Sequence, residues 1–582
     1  KLGGGAFCLL ALITLSNLSA AQIQPGTFKH IIIVVQENRT PDNLFGSEPP
    51  AGVCSNDYPF ETGVDIVDGG NGTPYQGSNH LICSIPLSIT GVYSQSLTAD
   101  PDHSHDGSPD QPGGWVSDYD KGNMDGFCHE YDNSKWNGIC PSYSFVPQTE
   151  VQPYFDIATN YGFANYMFQT NEGPSFPAHE FLFAGTSAPV PFDDPSGEWT
   201  WFDADNIFNQ NSQNSTCTAQ GVVAPLINAD GSEPDLAYCN THPNDPRCTK
   251  APCYERAPYT PPTEPSWGSL ADLLHANGVG WKYYAPIMNP NGSIQSGLWV
   301  APAAINHFCQ ASGLNCAGLE SSGQYGANMR FETTSEPYPL YDDITDCQLA
   351  AVSWAIPDAL WSDHAGENNG SGPSYVANIV NAVGNSTCTD SVNGKNVAYW
   401  NDTTILIVWD DWGGWYDHIN PNAPGAPGVN QTQNTWGAYY TYGFRVPMLV
   451  VSAYTGVPNG SGGYNGYVSG ACGASPLPTC PNLSAPYIHD FGSILAFIEW
   501  NFLGTGAIGT IGKGYQFADN FAPEWQAKSR TVPLLDFFPL TTPRQFVQIL
   551  VPQGYGPTYF QDYFANNPTQ SPSGPDVGEG DE

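Results

Sequence analysis

Two pairs of adjacent polar residues have the side chains of a metal site. Each pair directly follows a run of apolar, β-branched residues: Glu37-Asn38 follow the run 30–36 (HIIIVVQ), and Asp410-Asp411 follow the run 403–409 (TTILIVW). Adjacent carboxylates repel each other unless a cation or a proton relieves them. Carboxylate and amide oxygens suit hard or borderline divalent ions. We therefore expect the two pairs to share one divalent metal ion, whose identity the sequence leaves open.

A serine between glycine and proline residues is the candidate nucleophile. Ser175 lies in the segment 171–179 (NEGPSFPAH), where the neighbouring Gly and Pro predict a constrained turn. A metal ion close to the hydroxyl would lower its pKa and make it a nucleophile. A serine in this setting is otherwise an ordinary turn residue, so the prediction depends on the metal site lying nearby.

Histidines in polar, loop-like segments are the candidate proton donors. His103 belongs to the segment 102–106 (DHSHD), and His364 ends the tripeptide Ser-Asp-His at 362–364. Imidazoles of this kind can donate to phosphate oxygens or protonate a leaving group. The alternative for each is a structural or surface histidine.

The elements that position these residues are strands alternating with helices. The two apolar runs and the segment 446–452 (VPMLVVS) predict buried strands, while 269–276, 375–383 and 491–502 have helical patterns. This alternation predicts an α/β fold with a mostly parallel central sheet flanked by helices. Ligands of such sheets bind beyond the carboxyl ends of the strands, where both polar pairs lie.

The composition excludes several classes of function. Of the 582 residues, 40% are hydrophobic and 13% aromatic, which is enough for a large packed core. The chain has 56 Asp and Glu against 16 Lys and Arg, a net charge of −40. A nucleic-acid binder needs a basic surface, and so does a protein held at an anionic membrane by a polybasic patch. We expect neither of these partners.

The segments outside the core suggest export. Residues 1–21 resemble a secretory signal peptide with an apolar stretch at 6–18, and we expect no transmembrane segment after it. Residues 188–265 predict a cysteine-rich insertion or cap, and 568–582 predict an acidic, disordered tail. Fourteen cysteines follow the signal segment and predict up to seven disulfides in a secreted protein. Plausible local pairs are Cys128–Cys140, Cys309–Cys316 and Cys472–Cys480.

Taken together, these segments resemble the phosphoesterase family of bacterial acid phosphatases and non-specific phospholipases C. The motifs that carry the resemblance, in the family's order, are HIIIVVQENRTPDNLFG (30–46), the segments 122–127 and 173–187, GVGWKYY (278–284), VSWAIP (352–357), TTILIVWDDWGGWYDH (403–418), GFRVPMLVVS (443–452) and HDFGSILAFIE (489–499). They extend over most of the chain, between residue 29 and about residue 540.

The resemblance implies an alkaline-phosphatase-like α/β fold and a role for each matching residue. The metal ligands would be Glu37, Asn38, Asp410 and Asp411; the catalytic residues Ser175, His103 and His364; and the residues that bind substrate or support the site Arg39, Asp125, His307, Asp417 and His418. One divalent metal ion would be the cofactor, and a phosphate ester the substrate.

The activity within the family is less sharply indicated. Phospholipase members commonly have G-P-T-x-P-N-R and an Asp-Glu pair, whereas this chain has Ser175, Ala178-His179 and Asp410-Asp411. These differences favour a secreted acid phosphatase that acts through a phosphoserine. A phospholipase C-type phosphodiesterase is the first alternative. The second is a non-catalytic secreted structural or binding protein on the same fold.

Overall fold

The computed structural model describes twelve parts of the chain: 23–45, 100–105, 113–127, 142–187, 201–203, 226–228, 269–286, 297–308, 326–421, 442–469, 489–504 and 534–567, with short gaps within several of them. The predicted signal peptide, the acidic tail and the three local cysteine pairs lie outside the described residues. Of the predicted insertion at 188–265, two short strands are described.

Sixteen strands are described. They are β1 His30–Gln36, β2 Gly162–Ala164, β3 Met167–Phe168, β4 Trp201–Asp203, β5 Leu226–Asn228, β6 Trp281–Ala285, β7 Met329–Phe331, β8 Val352–Ala355, β9 Thr389–Val392, β10 Lys395–Ala398, β11 Thr403–Trp409, β12 Met448–Ser452, β13 Val457–Pro458, β14 Tyr464–Asn465, β15 Tyr467–Ser469 and β16 His489–Asp490.

The α-helices of the described residues are mostly short. They are α1 Pro41–Phe45, α2 Gly114–Tyr119, α3 Gln152–Asn160, α4 Ser175–Ala184, α5 Leu270–Ala276, α6 Ala301–Ala304, α7 Pro339–Thr345, α8 Gly372–Gly384, α9 Tyr399–Asp402, α10 Phe491–Leu503, α11 Pro557–Gln561 and α12 Tyr563–Asn566. None of these helices has the length and apolar character needed to cross a bilayer.

An eight-stranded sheet forms the centre of the molecule, in the order β15-β2-β12-β11-β1-β8-β6-β7. All neighbouring pairs are parallel except those of β12, which runs antiparallel to β11 and to β2. Helices flank the sheet, so the α/β class with a mostly parallel sheet is confirmed. In β1 and β11 every residue is buried, which explains why both sequences are apolar without alternation.

The predicted elements differ from the observed ones in small ways. The strands at 30–36 and 403–409 and the three helices are confirmed, the helices with ends shifted by up to three residues. The strand expected at 446–452 begins at Met448, and it is the antiparallel member of the sheet. Ser175 does not lie in a turn but is the first residue of α4, because Pro174 ends the extended segment and serves as the N-cap.

A disulfide joins two segments at the amino-terminal edge of the sheet. Cys347 and Cys388 are bonded with their Cα atoms 5.4 Å apart, although 41 residues separate them in sequence. A disulfide was expected, but this pairing was not among the local pairs proposed from spacing. The packing of α7 against α8 brings the two cysteines together.

Candidate active site

The register between β1 and β11 brings the two polar pairs together. Gln36 lies opposite Trp409 in this parallel pair, so the residues that follow the two strands leave the sheet side by side. The backbone N–H of Asp410 donates to the carbonyl of Gln36 at 3.0 Å. The backbone N–H of Asn38 donates to Oδ1 of Asp410 at 2.9 Å. Four oxygen-bearing side chains therefore meet at the carboxyl edge of the sheet.

The hydroxyl of Ser175 lies at the centre of these oxygens. Its Oγ is 3.3 Å from Oε2 of Glu37, 3.2 Å from Oδ1 of Asn38 and 3.0 Å from Oδ2 of Asp411. One hydroxyl proton can serve only one of three acceptors at a time. Ser175 also begins a ten-residue helix, and a helix N-terminus favours negative charge at this position. The geometry suits a serine whose oxygen carries negative charge beside a cation.

The charge balance of the site calls for a cation. Glu37, Asp410 and Asp411 are completely buried carboxylates. Oδ2 of Asp410 is buried and has no hydrogen-bond partner among the described residues. Burying several carboxylates without compensating charge is costly. Three carboxylates and one amide oxygen form a donor set that fits a divalent metal ion, so the residues present agree with the predicted cofactor.

His179 belongs to this cluster, although the sequence analysis did not select it. Its Nε2 is 3.0 Å from Oε1 of Glu37 and 3.6 Å from Oδ2 of Asp410. Burial by itself raises the pKa of Asp410, but the charge of His179 and the hydrogen bonds around the carboxylate bring that pKa below its usual value. His179 comes four residues after Ser175 on one helix, and this spacing places both on the same face. That spacing was the signal available in the sequence.

His103 holds the amide of Asn38. The Nδ1 atom of His103 is 2.8 Å from the carbonyl oxygen of Pro101, which can only accept a hydrogen bond. Nε2 is 2.9 Å from Nδ2 of Asn38. A neutral imidazole that donates through Nδ1 accepts through Nε2, which assigns Nδ2 of Asn38 as the donor. The amide oxygen of Asn38 is therefore turned towards Ser175.

His364 lies beside His103 and completes the polar side of the site. The two imidazole rings are 5.8 Å apart, and His364 stacks on Trp299 at 5.6 Å. Nitrogen atoms of both histidines and a carboxylate oxygen of Asp100 lie within 4.8 Å of one another. The structure thus brings His103 and His364 together, as predicted for groups around one phosphoryl group, and adds Asp100.

Arg39 links the end of β1 to the segment that carries His364. Its Nε donates to the carbonyl of Asp363 at 2.8 Å, and the guanidinium lies over the ring of Trp415, 5.0 Å from its centre. Burial lowers the pKa of Arg39 to about 10, although the charge of Asp363 opposes this shift. Burial likewise raises the pKa of Asp363 to about 6, against the charge of Arg39. Arg39 therefore supports the site through the backbone of Asp363.

Asp417 belongs to a buried ion triad. Arg445 donates from Nε to Oδ1 of Asp417 at 2.9 Å and from Nη2 to Asp42 at 3.1 Å. All three side chains are almost fully excluded from solvent. The triad ties the residues after β11 to α1, which agrees with a supporting role for Asp417. The other predicted residues of this group, Asp125, His307 and His418, lie outside the described residues.

Two glycines after Asp411 allow the loops of the site to approach each other. Gly413 has φ +60°, and a Cβ at this position would lie 2.3 Å from the carbonyl oxygen of Asn38. Gly414 has φ +67°, and its Cβ would lie 2.5 Å from Cβ of Pro101. A larger residue at either position would push the β11 loop away from Asn38 or from the loop of His103.

Comparisons with known proteins identify the family. Residues 28–503 match the phosphoesterase family. Phospholipase C B of Mycobacterium tuberculosis (strain ATCC 25618 / H37Rv) is 27% identical over 208 residues, 33% of this chain and 35% of that protein. Phospholipase C A of the same strain is 26% identical over 241 residues, 39% of this chain and 42% of that protein. Non-hemolytic phospholipase C of Burkholderia pseudomallei (strain K96243) is 26% identical over 213 residues, 32% of this chain and 29% of that protein. The matched segments thus span less than half of each relative.

Proposed function

This chain belongs to the phosphoesterase family, and on that premise we propose that it is a metal-dependent phosphoric ester hydrolase, of the acid phosphatase type, that acts through a phosphoserine. The observation that carries the proposal is the position of Ser175. Its hydroxyl lies 3.0–3.3 Å from oxygens of Glu37, Asn38 and Asp411, side chains that suit a metal ion. Ser175 is also the first residue of helix α4.

In the first step, Oγ of Ser175 attacks phosphorus and the bond to the leaving group breaks. The carboxylate of Asp411 lies 3.0 Å from Oγ, takes the hydroxyl proton as Oγ attacks and returns it to Oγ in the second step. A divalent ion bound by the four oxygen-bearing side chains would supply positive charge to the serine oxygen and to the phosphoryl oxygens. In the second step, water attacks phosphorus, the bond from phosphorus to Oγ breaks, and Ser175 is regenerated.

The two histidines take different parts in this proposal. Nε2 of His103 accepts from Asn38, so His103 orients a metal ligand. His364 is then the better candidate for contact with a phosphoryl oxygen or for protonation of the leaving group. It is anchored through Nδ1, which lies 2.9 Å from the carbonyl oxygen of Ala365, and through the stack on Trp299.

A phospholipase C-type phosphodiesterase is the second candidate, and the names of the relatives favour it. Aromatic rings lie next to the site: Trp299 stacks on His364, and Trp412 meets His103 edge-on at 6.3 Å. Aromatic faces bind the quaternary ammonium of a choline head group. Ser175 and the Asp410-Asp411 pair support the monoesterase instead, because phospholipase members commonly have Thr and Asp-Glu at these positions.

One rate comparison tests the proposal. Purified protein is assayed with p-nitrophenyl phosphate and with p-nitrophenylphosphorylcholine, from acid to mildly alkaline pH, alongside the Ser175→Ala variant. Faster release from the monoester supports the phosphatase, and faster release from the choline ester moves the chain to the phospholipase branch. If neither substrate is turned over, the non-catalytic alternative gains support. If Ser175→Ala keeps the wild-type rate, the phosphoserine mechanism is wrong.

Export is also part of the proposal. The apolar stretch at 6–18 and the Cys347–Cys388 disulfide support it, because disulfides persist mainly in oxidising compartments. Cleavage before Gln22 should be detected by N-terminal sequencing of protein recovered from the medium or periplasm of a bacterial host. Recovery only as an uncleaved cytosolic chain would contradict it.

A further inference from the structure

A second cluster of metal-type side chains lies at the edge of the sheet opposite to the active site. It consists of His30, the first residue of β1, with Asp390 of β9 and Asp402, which directly precedes β11. The register pairs His30 with Thr403, so Asp402 lies next to the start of β1. One seven-residue strand separates this edge from Glu37, a distance of roughly 20 Å.

The hydrogen bonds of His30 leave its outer nitrogen facing a carboxylate. Nδ1 is 2.7 Å from the carbonyl oxygen of Ala350, and since a carbonyl only accepts, Nδ1 carries a proton. Nε2 is 2.7 Å from Oδ2 of Asp390. In a neutral imidazole this arrangement sets a lone pair against a carboxylate. At 2.7 Å a shared proton joins the two atoms, and a cation bound by both would require them to move apart.

The carboxylate of Asp402 is the second, independent observation. Asp402 is 1% exposed, no N–H or O–H donor among the described residues reaches its carboxylate oxygens, and the carboxylate of Asp390 lies against it. A nitrogen of His30 and an oxygen of each Asp lie within 4.8 Å of one another, so this orphaned group faces the cluster. A cation bound there would compensate the buried charge.

We propose that His30, Asp390 and Asp402 bind a second divalent cation of the borderline class that accepts imidazole and carboxylate together, such as Zn²⁺. Ligands of one Zn²⁺ lie about 2.0–2.2 Å from the ion, hence roughly 3.3 Å apart, so Nε2 of His30 and Oδ2 of Asp390 separate slightly on binding. The carbonyl of Ala350 supplies the outer hydrogen bond that fixes a metal-bound imidazole.

The cluster has an entry path and a structural purpose. The side chain of Asp390 is 30% exposed and lies on the β9–β10 hairpin, which leaves room for water to complete the coordination. A cation at this point fastens the hairpin to the starts of β1 and β11. The Cys347–Cys388 disulfide anchors the same region, since Cys388 precedes Asp390 by two residues and Cys347 precedes Ala350 by three.

The test is the Zn²⁺ stoichiometry of the full chain after equilibrium dialysis, measured by elemental analysis. Asp390→Asn removes one charged ligand at a part-exposed position. Asp346→Asn is the matched control. It removes the same charge as Asp390→Asn, at an exposed residue that lies beside Cys347. We expect Asp390→Asn to bind one Zn²⁺ per chain fewer than the wild type and the control, with unchanged phosphoesterase activity. Equal stoichiometry in the three proteins overturns the proposal.

A thermal measurement separates a cation from a bridging proton. Asp402→Asn keeps the shape of the side chain and removes its charge. With a cation site, added Zn²⁺ raises the melting temperature of the wild type and of Asp346→Asn more than that of Asp402→Asn. If only a proton joins the cluster, Zn²⁺ changes the melting temperature of all three proteins equally. Asp402→Asn then melts no lower than the wild type in Zn²⁺. This result also overturns the proposal.

Discussion

The side-chain amide of Asn38 is fixed by His103, whose Nε2 lies 2.9 Å from Nδ2 of the asparagine. The contact determines which end of the amide faces Ser175, because Nδ1 of His103 is already committed to the carbonyl of Pro101. A loop that is 65 residues away in sequence therefore controls the orientation of Asn38, the proposed metal ligand at the end of β1. Partners of this kind tune metal affinity without touching the ion.

His103→Ala should therefore weaken metal binding before anything else. We expect a loss of about 10–100-fold in metal affinity, the usual effect of removing such a partner. Chelator competition measures the affinity directly, with the metal dependence of the hydrolysis rate as a second readout. His103→Gln offers an amide oxygen to Asn38 and should recover part of the loss. Unchanged metal affinity in His103→Ala would show that the amide is held by other groups.

Ser175→Ala should abolish turnover while leaving the metal in place. Loss of a nucleophile that forms a covalent intermediate typically costs about 10³-fold or more in rate. The buried cluster keeps its carboxylates in this variant, so metal content measured by elemental analysis should match that of the wild type. A rapid quench with radiolabelled substrate should trap phosphoserine in the wild type and not in the variant. Trapping in both proteins would place the nucleophile elsewhere.

Chelation should inactivate the enzyme reversibly. Asp410, Asp411 and Glu37 are fully buried, and without a cation their mutual repulsion disfavours the arrangement around Ser175. We expect dialysis against a chelator to remove most of the activity and to lower the melting temperature, with both restored by one divalent ion. A screen of Mg²⁺, Ca²⁺, Mn²⁺ and Zn²⁺ would identify the metal. Full activity in a metal-free protein would refute the assignment of these ligands.

Gly413→Ala should damage both stability and activity. The added Cβ would lie 2.3 Å from the carbonyl oxygen of Asn38, and φ there is +60°. Overpacking commonly costs about 1–3 kcal/mol, in addition to the strain of a left-handed alanine. Gly460→Ala is the matched control, because φ is +76° and nothing lies within 4 Å of the new Cβ. Denaturant unfolding should show a larger loss of unfolding free energy in Gly413→Ala than in Gly460→Ala. Equal losses would mean that the backbone strain of a left-handed alanine accounts for the whole effect.

A buried carboxyl pair should make stability depend on pH. Burial raises the pKa of Asp358 to about 7 and that of Glu332 well above its usual value, where the charge of Asp358 adds to the effect. The native state then holds protons that the unfolded chain has lost, so this contribution to stability falls as pH rises from about 4 to about 7. Asp358→Asn should flatten that fall by about 1–3 kcal/mol, measured as unfolding free energy in urea. Parallel profiles for the two proteins would contradict the raised pKa.

The sequence predicted the parts of this site that follow local patterns. The bounds of β1 and β11 follow from continuous apolar runs, and their register then places Glu37 next to Asp410. Ser175 was expected near this cluster through the family resemblance, but the helix that begins there was not. His179 was missed because its role depends on that helix.

The features that the sequence did not predict depend on long-range packing. The Cys347–Cys388 pair and the link from Arg39 to Asp363 join segments that lie 41 and 324 residues apart. Cysteine spacing contains no information about which segments the fold brings together. The reversed direction of β12 was also not predicted, because an apolar run has the same composition in either orientation.

The pairing of Gln36 with Trp409 has a consequence for how this protein can change over evolution. Successive side chains of a strand alternate between the two faces of the sheet, so one residue inserted into β1 or β11 would reverse the face of every residue after it. Apolar substitutions within either strand keep the site intact, whereas a single-codon insertion or deletion dismantles it. The two strands should therefore tolerate apolar changes of residue identity and almost no change of length.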